Sequence, residues 1–205
     1  MKLDPNFDPY GKDTPCWQKG QFGGTLRPIN RDILFKNLEE IHEVLDFYGI
    51  THWLSHGTVL GVYRENNFIA WDDDADFSYY FSDRDSQDME EALEELKLRG
   101  FYIPPSDPYK PVDLNNAPYY DLVFIRDGEK CEGWGFEKKG NEYIYDEGRN
   151  GRTLAHPAHF YDTLDTINFK GLLYNTPHNL HEYLVMMYGE SYMKPDPNKK
   201  YNEQK

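Results

Sequence analysis

Residues 53–81 read WLSHGTVLGVYRENNFIAWDDDADFSYYF, and Asp72, Asp73, Asp74 and Asp76 fall within five positions of that run. Carboxylates this close repel one another, so folding them together is costly unless a cation neutralises them. Hard divalent cations take oxygen ligands, and Mg²⁺ is usually held by one or two carboxylates plus substrate phosphates. Trp71 precedes the cluster, and Phe77, Tyr79 and Phe81 follow it at alternate positions, the pattern of a strand. On such a strand Asp74 and Asp76 share one face, while Ala75 and Phe77 take the other, toward the core. Two carboxylates side by side at a strand's end make a pre-organised metal clamp. A calcium loop would use Asp72, Asp74 and Asp76 as positions 1, 3 and 5, but its sixth position needs Gly and here is Phe77. Asp72 and Asp73 stand open between site and surface.

Upstream, Ile50 to Leu54 reads as a short strand, Ser55-His56-Gly57-Thr58 as a turn, and Thr58 to Arg64 as a helix start. A strand, a small-residue turn and a helix N-terminus present free backbone N–H groups, which suit a phosphate. Gly57 allows close backbone approach. Ser55, Gly57 and Thr58 are therefore candidate phosphate binders. Arg64 lies within two helical turns of Thr58, where it either forks onto a donor phosphate or pairs with the aspartates. Trp71 and Tyr63 read as core aromatics rather than stacking platforms.

Ser55-His56-Gly57-Thr58, Leu60-Gly61-Val62-Tyr63-Arg64, Phe68-Ile69-Ala70-Trp71 and Asp72-Asp73-Asp74-Ala75-Asp76 follow one another in the order of a known signature. The stretch resembles the LicD-type phosphocholine transferases and their fukutin-related relatives, a branch of the nucleotidyltransferase fold. Phe169-Lys170-Gly171, Asn175-Thr176-Pro177, Glu182-Tyr183-Leu184 and Tyr188-Gly189 extend the likeness, which runs from about residue 33 to 195. His56 stands where the family usually has Gly, Ala70 where it has Pro, and Glu65 where a His is common. The resemblance implies an α/β (α+β) fold, a nucleotidyltransferase-like small mixed sheet with flanking helices. It implies a Mg²⁺ (or Mn²⁺) ion on Asp74, Asp76 and a third carboxylate from a neighbouring strand, for which Asp121 is the expectation. Asp121 is also expected to help deprotonate the acceptor. The implied reaction moves a phospho-substituent, of phosphocholine or alditol phosphate type, from a CDP-linked donor to a hydroxyl of a glycan or sugar acceptor. Two alternatives stay open: nucleotidyl transfer from an NTP, and a silent metal- or glycan-binding module of the same fold.

The rest of the chain sets limits. Its 205 residues suit one domain with a sizeable core. A net charge of −14 argues against nucleic acid and anionic membrane as partners. No apolar run is long enough for a transmembrane segment, and residues 1–10 lack a signal core. Cys16 and Cys131 form no disulfide framework, which suits a reducing, cytoplasmic setting. Residues 1–30 read as an extended N-terminal arm, 31–195 as the domain and 196–205 as a polar tail. Leu34, Leu38, Ile41, Leu45 and Tyr48 recur at helical spacing before Gly49. Ser86 to Arg99 reads as an acidic amphipathic helix, Phe101 to Ile103 as a strand and 104–118 as a proline-rich connection. Tyr119 to Arg126 reads as a strand, Gly133 to Tyr145 as a hairpin and Leu180 to Tyr188 as a helix. His156, His159, His178 and His181 have the spacing of two zinc-binding pairs, but no cysteines accompany them, so a surface or hydrogen-bonded role is the better reading.

Overall fold

A computed structural model of the protein describes residues 29–83, 86–103, 121–146 and 153–196. The N-terminal arm up to residue 28, the proline-rich connection and the tail beyond residue 196 lie outside the described residues.

Helix α1 spans Arg31–Phe47. Asn30 starts it, its side-chain oxygen accepting from the Ile33 amide at 3.2 Å. Its apolar stripe, Leu34, Leu38, Ile41, Val44 and Leu45, is buried. Gly49, at φ +70°, ends it, and the Ile50 amide returns to the Leu45 carbonyl. Strand β1 (His52–Leu54) leads into α2 (His56–Glu65), which closes at Asn66 in the left-handed region. β2 (Ala75–Tyr80) and α3 (Gln87–Leu98) follow, the latter capped by Ser86 onto the Met89 amide. β3 (Asp121–Arg126), β4 (Glu129–Lys139), β5 (Glu142–Asp146) and β6 (Thr153–Pro157) complete the main sheet. β7 (Leu164–Phe169) and β8 (Leu172–Pro177) form a separate hairpin, and α4 (Leu180–Tyr188) ends at Gly189. The predicted strand at Phe101 to Ile103 reduces to one bridge, Tyr102 with Ile125.

The long β4 is the spine. One edge pairs in parallel with β2, which in turn pairs antiparallel with β1. The other edge pairs with β3 and then, further along, with β5, which carries β6. This is a small mixed sheet with helices on it: α1 lies on β4 and α3, and α2 lies on β2. Phe77 and Tyr79 of β2 need room where β2 and β4 pair. Gly133 supplies it, since a Cβ there would sit 2.7 Å from Phe77 Cζ. The β7–β8 hairpin docks on β1, where Asn175 donates to the His52 carbonyl at 2.9 Å.

An aromatic block of Trp53, Phe136, Tyr145 and Tyr161 closes around His156, whose Nδ1 meets the Tyr161 hydroxyl at 2.5 Å. Burial pushes the His156 imidazole down to about 3. The unfolded chain, with an ordinary histidine near 6.5, therefore takes up a proton that the folded chain refuses. The protein loses about 1.4 kcal/mol per pH unit from this group as pH falls below 6.5 toward its folded value. The buried carboxylates described below titrate in the opposite sense, so a variant isolates the imidazole. His156→Gln should be less stable than wild type at pH 7.5, with the gap narrowing and then reversing toward pH 4.5. Denaturant melts across that range give the test; a gap independent of pH would contradict a neutral buried imidazole.

Candidate functional site

The β2–β4 register sets Asp76 opposite Glu132, with Ala75 opposite Cys131. One step earlier, Asp74 faces Lys130. Asp74, Asp76 and Glu132 are all buried, and one oxygen of each lies within 4.8 Å of the others. Lys130 Nζ sits 2.6 Å from Asp74 Oδ2 and 2.5 Å from Glu132 Oε1. Trp134, two residues beyond Glu132, donates its indole N–H to Asp76 Oδ1 at 3.1 Å.

Three carboxylates and one ammonium leave two negative charges when all are ionised. That remainder matches a divalent cation, and the all-oxygen donor set suits a hard ion of the Mg²⁺ kind. Without such an ion, burial raises Asp74 to about 6 even though Lys130 pulls it down. Burial, then Asp74 and Glu132, raises Asp76 well above the carboxylate range. Burial alone would lower Lys130, but Asp74 and Glu132 outweigh it and hold the ammonium charged.

The turn before α2 is laced to the strand at this point. The Ser55 amide donates to the Asp76 carbonyl at 3.2 Å, and the Asp76 amide donates to Thr58 Oγ1 at 2.7 Å. Thr58 thereby fixes the Asp76 backbone. Ser55 Oγ is buried and has no hydrogen-bond partner among the described residues. His56 adopts φ +47°, a conformation that favours glycine, which accounts for the Gly usual there in the family pattern. Its ring is held by Trp134 and Tyr145, at centroid distances of 5.2 and 5.3 Å. The helix begins at His56, two residues before the predicted start.

Gly57 brings the turn against Asp72. A Cβ on Gly57 would fall on Asp72 Oδ2. Burial, then Asp74 and Asp73, pushes Asp72 up to about 8, so Asp72 belongs to the charged cluster rather than to open surface. Gly57→Ala should therefore displace Asp72 and cut turnover by roughly tenfold or more, while costing only about 1 kcal/mol of stability. Steady-state rates beside a thermal melt decide it; wild-type turnover in the Gly57→Ala variant would show that the close approach is irrelevant.

Beside Gly57 and Asp72 opens a cavity of about 510 Å³, lined also by Arg64, Trp71, Tyr188 and Tyr192. Arg64 makes its ion pair with Glu65, at 2.7 Å, and not with the aspartates; its Nε has no partner among the described residues. Trp71 and Tyr63 are both exposed, at 44% and 38%, which corrects their reading as core residues. Trp71 lines the cavity, and Tyr63 lies by Tyr192.

Asp121 opens β3, which pairs with β4 and not with β2. The strand neighbouring Asp76 is β4, and the carboxylate it brings is Glu132. Asp121 stands opposite Trp134 in register, one strand further away, and its side chain is outside the described ones. The four histidines part company: His156 goes to Tyr161, His159 to Glu182, His178 to Asp165 and His181 to Tyr192. Glu132 and Lys130 escaped the sequence reading, although Asp127-Gly128 is a hairpin signal that would have continued the strand through them.

Residues 49–179 match the family described as LicD/FKTN/FKRP, nucleotidyltransferase domain. The chain belongs to this family. Among curated proteins it is 26% identical over 154 residues to ribitol 5-phosphate transferase FKRP of Mus musculus, and 25% identical over 150 residues to the Homo sapiens protein. Each match covers 71% of this chain and 29% of the relative, so the LicD-family chain spans less than a third of those proteins. Among solved structures, lincosamide antibiotic adenylyltransferase LnuA, lincomycin-bound, aligns with a TM-score of 0.46 at 12% identity, over 73% of this chain and 83% of that one. Antibiotic-resistance factor ANT(2'')-Ia aligns with a TM-score of 0.45 at 14% identity, over 69% and 63%. No helix among the described residues is long and apolar enough to cross a membrane.

Proposed function

We propose that this LicD-family chain is a divalent-cation-dependent transferase. It moves a phospho-substituent from a CDP-activated donor to a hydroxyl of a sugar or glycan acceptor and releases CMP. The observation that carries this reading is the convergence of Asp74, Asp76 and Glu132 beside a turn and a cavity. The relatives named ribitol 5-phosphate transferase favour an alditol phosphate over phosphocholine as the transferred group. Asp74, Asp76 and Glu132 would hold Mg²⁺ or Mn²⁺. When bound, such an ion offsets the charge that develops on the donor phosphates.

The chain's own residues do the rest. The acceptor oxygen bonds to the donor phosphorus, the bond from that phosphorus to the CMP oxygen breaks, and the acceptor proton passes to a carboxylate. We assign that proton to Glu132, which the register sets beside Asp76, with Asp121 of β3 as the second candidate. Gly57 of the turn and Arg64 line the cavity that would take the donor phosphates, and Trp71 walls the same space. Arg64→Lys keeps the charge and loses the planar fork, so the donor KM should rise by roughly tenfold with kcat less affected. An unchanged KM would leave Arg64 as nothing more than the partner of Glu65.

The test of the reaction is a donor panel. CDP-alditols, CDP-choline and UDP- and GDP-sugars are incubated with the chain, Mg²⁺ and sugar acceptors, and nucleotide release is followed. CMP release with transfer of the alditol phosphate supports the proposal. Pyrophosphate release from NTPs would make the protein a nucleotidyltransferase, and no turnover with preserved ion binding would make it a silent module.

A further inference from the structure

At the junction of α1 and β1, away from the carboxylate cluster, His42, Asp46 and His52 each place one ligand atom within 4.8 Å of the other two. His52 is buried, His42 is mostly covered and Asp46 is open to solvent. The His52 Nδ1 lies 2.8 Å from the Ile50 carbonyl, which can only accept, so Nδ1 carries the proton. The lone pair of His52 is therefore on Nε2, and Nε2 points at His42 Nδ1, 2.6 Å away. A backbone carbonyl that fixes one imidazole nitrogen and leaves the other as a donor is the usual support of a metal-bound histidine.

His42 then needs something to share with that lone pair. It supplies either its own proton or a ligand nitrogen to a common cation. Asp46 Oδ2 lies 3.5 Å from His42 Nε2 and its Oδ1 3.9 Å from His52 Nδ1, so the carboxylate flanks the pair and, being exposed, has to swing toward the gap between His42 Nδ1 and His52 Nε2 to join them on one ion. The site also sits at the C-terminal end of α1, whose dipole favours positive charge and whose last turn holds no basic residue. Tyr174 of β8 packs on the His42 ring at 4.3 Å and limits its movement.

We propose that His42, Asp46 and His52 form a second metal site, for a zinc-class transition ion, which ties the end of α1 to the start of β1. Imidazole nitrogens with one carboxylate suit Zn²⁺ and its neighbours, whereas the all-oxygen cluster at Asp76 suits Mg²⁺. Two nitrogens about 2.0 Å from zinc at a tetrahedral angle stand roughly 3.3 Å apart, so the imidazole pair must open by less than about 1 Å and both rings must turn to aim their lone pairs at the ion rather than at each other. Solvent at the exposed Asp46 supplies the fourth position. Binding expels the proton that the His42–His52 contact otherwise holds. The role is structural, since β1 runs straight into the Ser55 turn.

The experiment is calorimetric titration of the chelator-stripped full chain with Zn²⁺, backed by the visible spectrum of the Co²⁺ form. Wild type should bind Zn²⁺ with uptake accompanied by proton release, and its melting temperature should rise. His42→Gln and Asp46→Asn should each weaken binding by more than the 10–100-fold that loss of an orienting partner alone costs. Asp46→Asn lies at an exposed position, so its fold is not at risk. Asp76→Asn should leave Zn²⁺ binding intact. No Zn²⁺ uptake by wild type, or equal uptake by wild type, His42→Gln and Asp46→Asn, would overturn the proposal. Loss of uptake in Asp76→Asn alone would place the ion at the carboxylate cluster and overturn it too. None of these outcomes depends on the transfer reaction.

Discussion

Glu132→Gln should lose roughly 10³-fold in transfer rate, about 4 kcal/mol of transition-state stabilisation, and keep its fold. Glu132 shares the buried cluster with Asp74 and Asp76 and is set by register directly beside Asp76. Gln fills the same volume, but it offers one neutral carbonyl oxygen where two anionic oxygens stood, and it cannot take a proton from an acceptor hydroxyl. Asp74→Asn and Asp76→Asn should fail similarly. Asp121→Asn should lose far less, because β4 stands between its strand and Asp76. Initial rates for the four variants, with circular dichroism to confirm folding, rank the residues. An Asp121→Asn variant as dead as Glu132→Gln would return Asp121 to the centre of the chemistry.

Lys130→Met should show the second large effect, on stability and in an ion-dependent way. Lys130 is the buried counter-charge to Asp74 and Glu132, at 2.6 and 2.5 Å. Removing one member of a buried ion network leaves charge uncompensated and costs roughly 3–5 kcal/mol. Methionine keeps most of the volume, so the loss is electrostatic rather than a cavity effect. Added Mg²⁺ should recover part of it, since a bound divalent ion neutralises the same carboxylates. Urea melts of both proteins, with EDTA and with Mg²⁺, carry the test. Equal stability of the two proteins in EDTA would mean that the carboxylates hold protons and need no counter-charge.

The part of the site that can be read in advance is the part written in consecutive residues. Asp74 and Asp76 are two apart on one strand, and Gly57 and Thr58 lie in the turn that precedes it, so local period and turn chemistry suffice. Glu132 is visible only once β2 and β4 are paired in parallel, a register that spans 56 positions in the sequence. Neither strand announces that partner, and Asp121, at the head of an apolar run, is the more conspicuous carboxylate. Lys130 stays hidden because a lysine in a strand reads as surface until its anionic partners are known. The aromatics mislead for a related reason: Trp71 and Tyr63 look like core by type, yet both are exposed, Trp71 on the cavity wall and Tyr63 beside Tyr192. The fold class, the main helices and the aspartate strand follow from spacing and caps. The β7–β8 hairpin does not, because its Lys170-Gly171 turn and polar outer face give a weak strand pattern.

If Asp74, Asp76 and Glu132 form one divalent-ion site that serves the transfer, ion uptake must depend on all three. Mn²⁺ titrated into the chain in the presence of CDP, read by loss of the free-ion paramagnetic resonance signal, measures it directly. Wild type and Asp121→Asn should take up Mn²⁺ tightly, and Asp76→Asn and Glu132→Gln should not. Undiminished Mn²⁺ uptake by Glu132→Gln and Asp76→Asn would contradict a shared ion at this cluster.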